Sequence, residues 1–230
     1  MRLLLTRPEP DATRSAQVLR QRGHAVIVAP LTRLEPLAAE FAGPFAAGLI
    51  TSANAARAAV ACVRVDELRA LPLFAVGARS AEVARAAGFA DVTAADGALP
   101  DLVRLVATRV PPRSRLLYLA GEDRAGDLAA DLARHGLAVE TAVIYRAAAS
   151  EVLPRAIAAA VDQLDGVLHY SRRSAALLLQ LAERAGVRER MLRLAHYCLS
   201  EEVARPLREA GAARLHVAAR PGEAALFDLI

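Results

Sequence analysis

The 230-residue sequence predicts an alternating α/β protein made of two doubly wound, parallel-sheet lobes, and three observations predict it. One cadence recurs along the chain: a short apolar run, a small polar turn, a stretch of helical period, then glycine. The chain also contains a diverged copy of itself. Ser80-Ala81-Glu82-Val83-Ala84-Arg85 matches Ser200-Glu201-Glu202-Val203-Ala204-Arg205, and each copy is followed by Gly (Gly88, Gly211), a Val-containing strand (Val92, Val217) and an Asp-Leu pair (Asp101-Leu102, Asp228-Leu229). Upstream of each copy an apolar run ends in hydroxyl residues, at Ser52 and at Ser171, 28 and 29 positions before Ser80 and Ser200. Two landmarks at matched spacing indicate a duplicated α/β unit. Finally, 55% of the residues are hydrophobic but only 4% are aromatic, so the core is Ala, Leu and Val, which suits close helix-on-sheet packing.

The strands are expected at Leu3-Leu4-Leu5, Leu49-Ile50, Leu73-Phe74-Ala75-Val76, Leu116-Leu117-Tyr118-Leu119, Val167-Leu168-His169-Tyr170 and His196-Tyr197-Cys198-Leu199. Continuous apolar runs of this length read as strands buried on both faces, as in parallel sheets flanked by helices. Helices are expected over Asp11 to Gln21 before Gly23, Ala125 to Arg134 before Gly136, and Glu201 to Ala210 before Gly211, each glycine suiting the left-handed position past a helix end. Ser200 reads as an N-cap, with Glu201 and Glu202 in the positive first turn. The fold is therefore flavodoxin-like or Rossmann-like. Pro30 to Pro36 and Arg146 to Glu151 are extended stretches outside the helical cadence, where the chain leaves one lobe and returns. On that reading residues 1–35 and 150–230 form a discontinuous first lobe, residues 36–149 an inserted second lobe, and two strands link them. Two similar lobes imply a cleft, where ligands commonly bind.

Every basic residue is an arginine, with net charge +4. The arginines are dispersed, without the basic patch or aromatic platform of a nucleic-acid surface. Cys62 and Cys198 sit in apolar surroundings and read as reduced core thiols, which fits the cytoplasm. No apolar run approaches the length of a membrane span, and Arg7 and Pro8 come too early for a signal-peptide core. The five histidines show no metal-ligand spacing, and neither a phosphate-binding glycine loop nor a nucleophile elbow is present.

What remains is a set of hydroxyl-bearing strand ends: Thr51-Ser52, Ser171 with Ser174, and Ser200. The carboxyl edge of a parallel sheet offers free backbone N–H groups and hydroxyls to an anion, although each serine reads equally as a helix cap. Arg7 lies in a further strand-end loop, free to meet a carboxylate or to remain solvated. Tyr145 closes the apolar run Val-Ile-Tyr at the expected junction, either packed or donating its phenol proton into a cleft.

Taken in order, these stretches resemble the uroporphyrinogen-III synthase family. The likeness rests on Leu-Leu-Leu-Thr-Arg-Pro at the start, Val28 to Leu31, Leu49 to Ala55, Phe74 to Gly77, Leu117 to Glu122, Val143 to Arg146, Tyr170 to Ala175 and the Pro221 to Leu226 tail, and so spans nearly the whole chain. It implies two flavodoxin-like lobes joined by a two-stranded linker. It also implies a cofactor-free, metal-free lyase of haem biosynthesis that cyclises hydroxymethylbilane, inverts the last pyrrole ring and releases water. Tyr145 then corresponds to the tyrosine that assists departure of the hydroxyl, and Arg7, Thr51, Ser52, Ser171, Ser174 and Ser200 to substrate-binding residues. A cytoplasmic monomer in transient contact with porphobilinogen deaminase, and with no nucleic-acid partner, is expected. Many relatives carry Gly-Pro-Thr where this chain has Ser200-Glu201-Glu202, and Ser-Pro-Ser where it has Ser171-Arg172-Arg173-Ser174; the first departure puts carboxylates near a polyanion site. Two other readings compete: a noncatalytic two-lobed binding or regulatory protein, and a nucleotide-dependent enzyme on a Rossmann scaffold.

Overall fold

The structure is a computed structural model describing residues 1–124, 126–220 and 222–230. The chain divides into two compact units, Met1–Arg33 with Ala148–Ile230, and Leu34–Ala147. Ala125, where the sequence starts a helix, and Pro221, which opens the matching tail, lie outside the described residues.

The first unit begins with β1 (Arg2–Leu5), α1 (Asp11–Gln21) and β2 (Ala25–Val28). The chain crosses through β3 (Thr32–Pro36) into β4 (Ala47–Ile50), α2 (Ala53–Ala59), α3 (Val65–Ala70), β5 (Leu73–Ala75), α4 (Ala78–Ala86), β6 (Val92–Ala94), α5 (Leu99–Arg109), β7 (Arg115–Gly121) and α6 (Leu128–Ala133). It returns through β8 (Ala138–Ala149) to α7 (Arg155–Ala160), a short turn of 3₁₀ helix, β9 (Gly166–His169), α8 (Arg172–Arg184), α9 (Arg188–Leu192), β10 (Ala195–Cys198), α10 (Glu201–Glu209), β11 (Arg214–Val217) and α11 (Glu223–Phe227). The sequence expects α6 to begin at 125. It begins at 128 because the Asp127 carboxylate accepts the Ala130 N–H at 3.0 Å and fixes the first turn there.

Both sheets are doubly wound: the first has the common order 2-1-3-4-5, and the second has 3-2-1-4-5 over β6 to β8 with the linking strand β3 added at the β8 edge. In the first unit the order β11-β10-β9-β1-β2 is parallel throughout, so the winding direction changes between β1 and β9. In the second the order is β3-β8-β7-β4-β5-β6, parallel from β8 to β6, with the change between β4 and β7. A ligand of an open α/β sheet is received at such a switch point, outside the carboxyl ends of the strands.

Small residues allow the layers to close. On one face of the second sheet, Ala55, Ala56, Ala58 and Ala59 of α2 and Ala81 and Ala84 of α4 pack on Ile50, Leu117 and Ile144. On the other face, Leu102 and Val106 of α5 and Leu128 and Leu132 of α6 cover Leu49 and Leu116. In the first unit, α1 and α11 cover Leu3, Leu5 and Leu168, while α7 to α9 cover Leu4 and Val167. The repeated hexapeptide is helical in both units, but it is offset: α10 starts after Ser200, whereas α4 starts at Ala78, two residues before Ser80. Gly211 follows α10 at φ +88°, a conformation that its missing Cβ makes cheap.

Candidate active site at two strand edges

The second unit places three of the expected residues together. Thr51 and Ser52 follow β4, on one side of the switch point. Ser52 is extended (φ −151°, ψ 153°), and its Oγ accepts the Ala55 N–H at 3.2 Å as the N-cap of α2. The same oxygen is 2.8 Å from the phenol of Tyr145, and Thr51 Oγ1 is 2.7 Å from the phenol of Tyr118. Each hydroxyl of the Thr-Ser step therefore meets a tyrosine, Thr51 that of the adjacent strand β7 and Ser52 that of β8, one strand further on.

Tyr145 reaches Ser52 because β8 is irregular. Its register with β7 runs residue for residue up to Ala120 opposite Val143, then skips Ile144 so that Gly121 faces Tyr145. A bulge of this kind lets consecutive side chains share a face. Ile144 and Tyr145 both pack on the core under α2 and α4. The ring also needs a glycine beside it: a Cβ on Gly121 would stand 2.6 Å from Tyr145 Cζ and 2.8 Å from its hydroxyl. Burial raises the Tyr145 pKa and the nearby Tyr118 adds to this, partly offset by the Ser52 hydrogen bond, so the phenol stays protonated at neutral pH. Beside Tyr118 is a cavity of about 330 Å³ lined by Glu122, Arg124, Asp127 and Thr141 among others. Sequence reasoning missed Tyr118 as a site residue, since it reads as one more apolar position of β7; the neighbouring hydroxyl at Thr51 is the signal that distinguishes it.

In the first unit the expected residues are differently engaged. Ser171 caps α8, accepting the Ser174 N–H at 3.1 Å and donating to the Ser174 hydroxyl at 2.9 Å. Ser200 caps α10 through the Val203 N–H at 3.4 Å. Glu201 and Glu202 point to solvent and are paired, Glu202 with Arg172 and Arg205, and Glu201 with Arg208. Their charge is thus neutralised beside the Ser200 loop. Arg7, expected to meet a substrate, is held by Glu223 within the chain, with Nη1 2.8 Å from the carboxylate and the guanidinium 4.0 Å above the Tyr170 ring.

Beneath these loops lies a pair the sequence presents as scattered. His169 and His196, both fully buried, share a hydrogen bond of 2.9 Å from Nε2 of the first to Nδ1 of the second. The Nε2–H of His196 donates to the Met191 carbonyl at 3.2 Å. That assignment leaves His169 Nδ1 an acceptor, and it is buried without a partner. Burial holds both imidazoles neutral, with His196 lowered to about 4 and His169 well below its ordinary value.

Among the described residues no three His, Cys, Asp or Glu side chains are grouped to hold a metal ion, and no helix is long and apolar enough to cross a membrane. The donors gathered at the second unit's edge are hydroxyls and phenols, and those at the first unit's edge include the Arg7 and Arg14 guanidiniums, which are held by Glu223. Two doubly wound units with polar side chains gathered at their switch points define a class of two-lobed α/β proteins, in which ligands are commonly received at those edges.

Comparison with known proteins resolves the class to a family. The family model described as uroporphyrinogen-III synthase HemD matches residues 13–228, and the chain belongs to the uroporphyrinogen-III synthase family. The uroporphyrinogen-III synthetase of Helicobacter pylori has the same fold, with a TM-score of 0.69 at 18% identity, over 100% of this chain and 98% of that one. A mutant uroporphyrinogen III synthase of Thermus thermophilus aligns over 99% of this chain and 96% of its own, at 16% identity and a TM-score of 0.55. No curated protein matches the sequence.

Proposed function

We propose that the chain cyclises hydroxymethylbilane to uroporphyrinogen III, as a hydro-lyase of haem biosynthesis. The observation that carries the assignment of roles is the Tyr145 phenol, protonated and held by Ser52 at the switch point of the second sheet. The Ala55 N–H donates to Ser52 Oγ, the Ser52 hydroxyl to the Tyr145 oxygen, and the Tyr145 proton is aimed outward at the substrate hydroxyl. Each donor in such a chain strengthens the next.

As the C–O bond breaks, the phenol proton goes to the leaving oxygen and water departs, leaving an azafulvene-type cation. The substituted position of the last pyrrole attacks it, and the resulting spiro intermediate fragments and recloses with that ring inverted. The hydrogen given up by the ring on reclosure balances the proton donated by Tyr145. Because unaided cyclisation gives the type I isomer, the protein must chiefly hold a bent geometry and exclude direct closure, which positioning alone can do. Thr51, Ser174 and Ser200 serve this by offering hydroxyl protons to substrate carboxylates, beside Ser52 and Ser171, whose own protons go to Tyr145 and Ser174 until a carboxylate draws them away. On the same reading the chain works as a cytoplasmic monomer, in transient contact with porphobilinogen deaminase, whose product it uses.

The test is a coupled assay in which porphobilinogen deaminase generates the substrate in situ and the oxidised uroporphyrin isomers are separated by chromatography. A dominant type III product is expected. Type I alone, from folded protein with live substrate, would overturn the assignment in favour of a noncatalytic binding protein.

A further inference from the structure

A polar cluster of the first unit lies at its switch point, where Thr6-Arg7 follow β1 and Tyr170-Ser171 follow β9, and its centre is a single carboxylate. Glu223 Oε1 is 2.8 Å from Arg7 Nη1, 2.5 Å from Ser15 Oγ and 3.1 Å from the Tyr170 hydroxyl, while Arg14 Nη2 is 2.6 Å from Oε2. Four donors from the β1 end, α1 and the β9 end thus converge on one carboxylate, at the place where a doubly wound sheet receives its ligand.

We propose that this cluster is a carboxylate receptor whose resting occupant is Glu223, and that a carboxylate of the substrate replaces Glu223 there on binding. Glu223 thereby acts as an internal competitor. The inference rests on the synthase reading for the identity of the ligand, although not for the receptor itself.

The exchange is balanced in charge. With Glu223 turned away, the carboxylate left to Arg7 and Arg14 among the described residues is Asp11, 3.7 Å and 3.8 Å from them, and one incoming carboxylate restores neutrality. The donors do not need Glu223 to keep their protons: arginine is always charged, and burial, the largest cause, already drives the Tyr170 pKa upward before the Glu223 charge adds to it, so the phenol remains a donor. Glu223 can also leave without undocking its helix. It is the first residue of α11, whose attachment is the burial of Leu226 and Phe227 against Leu3, Leu5, Ala16 and Leu19. A planar guanidinium fork suits a carboxylate of either origin.

Two variants test the proposal. In Glu223→Ala the receptor is empty, and sodium propionate should raise the melting temperature with saturation, whereas sodium chloride at equal ionic strength should not. The wild type, and the double variant Arg7→Gln/Glu223→Ala, should not respond to propionate. In Glu223→Gln the competitor has lost its charge, so KM for hydroxymethylbilane should fall about tenfold, as expected when a binding-competent state is freed, with type III product retained. An absence of propionate response in Glu223→Ala, or a KM that is unchanged or raised in Glu223→Gln, would overturn the exchange and make Glu223 an anchor for α11. Failure of both variants to fold would overturn it equally. The propionate measurement needs no turnover: a response in Glu223→Ala beside a wild type that yields only type I product would uphold the receptor and remove hydroxymethylbilane as its ligand.

Discussion

At the switch point of the second unit, Thr51 and Ser52 each touch a tyrosine phenol, whereas in the first unit Ser171 and Ser200, among the described residues, hydrogen-bond within the first turns of the helices they cap. The local sequences are alike, an apolar run followed by serine, and Ser52, Ser171 and Ser200 all adopt extended cap geometry. What separates the edges is what the other strands bring to the serine. A bulge in β8 brings Tyr145 over Gly121 to Ser52, while the phenol at the end of β9, Tyr170, is turned to Glu223. One edge therefore presents a proton donor backed by a hydroxyl, and the other presents helix-terminal amides and an occupied arginine cluster.

The strongest way to break this contrast is to remove the donor. Tyr145→Phe should slow turnover roughly ten- to a thousandfold with an unchanged melting temperature; near-normal kcat in the coupled assay would reduce Tyr145 to packing and make the two edges equivalent. Gly121→Ala reaches the same end without touching the phenol. Its Cβ would overlap the ring, and displacement of a catalytic group by about 1 Å can lower the rate about a hundredfold. A Gly121→Ala protein with full kcat would mean that the position of the ring over β7 does not matter.

Much of this is legible in the sequence, and the remainder has a common cause. The runs at Leu3, Leu49, Leu73, Leu116, Val167 and His196 are strands because they are apolar on both sides, and the serines that follow are caps because their side chains reach the backbone three residues on. Such features are local. Strand order is not: no local pattern says that β9 lies beside β1 or β7 beside β4. The partners invisible in the sequence depend on that order, Tyr118 with Thr51, Arg7 with Glu223 across 216 positions, and His169 with His196 across 27. Tyr145 stands out by its position, but its hold on Ser52 comes from an irregular register that no hydrophobic period encodes.

Acid should sharpen the contrast between units at somewhat smaller scale. The first unit buries His169 and His196 in neutral form, whereas the second has only the exposed His135. No charged side chain drives either shift: burial comes first for both, His196 adds to it for His169, and the Met191 carbonyl opposes it for His196. Since the folded values lie below 6.5, the unfolded chain binds more protons as pH falls through that value. The stabilisation is whole above about pH 6.5 and declines down to the folded value, about 4 for His196. At about 1.4 kcal/mol per pH unit per histidine, this amounts to roughly 3 kcal/mol for His196. Amide hydrogen exchange followed from pH 7 to pH 5 should accelerate more in residues 1–33 and 148–230 than in 34–147; equal acceleration would show that the histidine pair is not what acid attacks.

The smallest effect bears on whether the first unit's serines do more than cap. Ser→Ala substitutions confound the two roles, since loss of a cap alone costs about 1 kcal/mol. Aspartate separates them, because it caps as well as serine but adds a negative charge. Ser171→Asp and Ser200→Asp should therefore leave the melting temperature within about a degree or two. If the loops meet substrate carboxylates, KM should rise roughly two- to fivefold at low salt, an exposed like-charge effect that salt will erase. Of the two, Ser200→Asp should give the larger change. Its capping bond is the longer, 3.4 Å against 3.1 Å, and its hydroxyl lacks the Ser174 partner that Ser171 has, so it is the one placed to turn toward a ligand. An unchanged KM in both variants at low salt would leave capping as their whole role and assign carboxylate binding in this unit to the arginine cluster around Glu223.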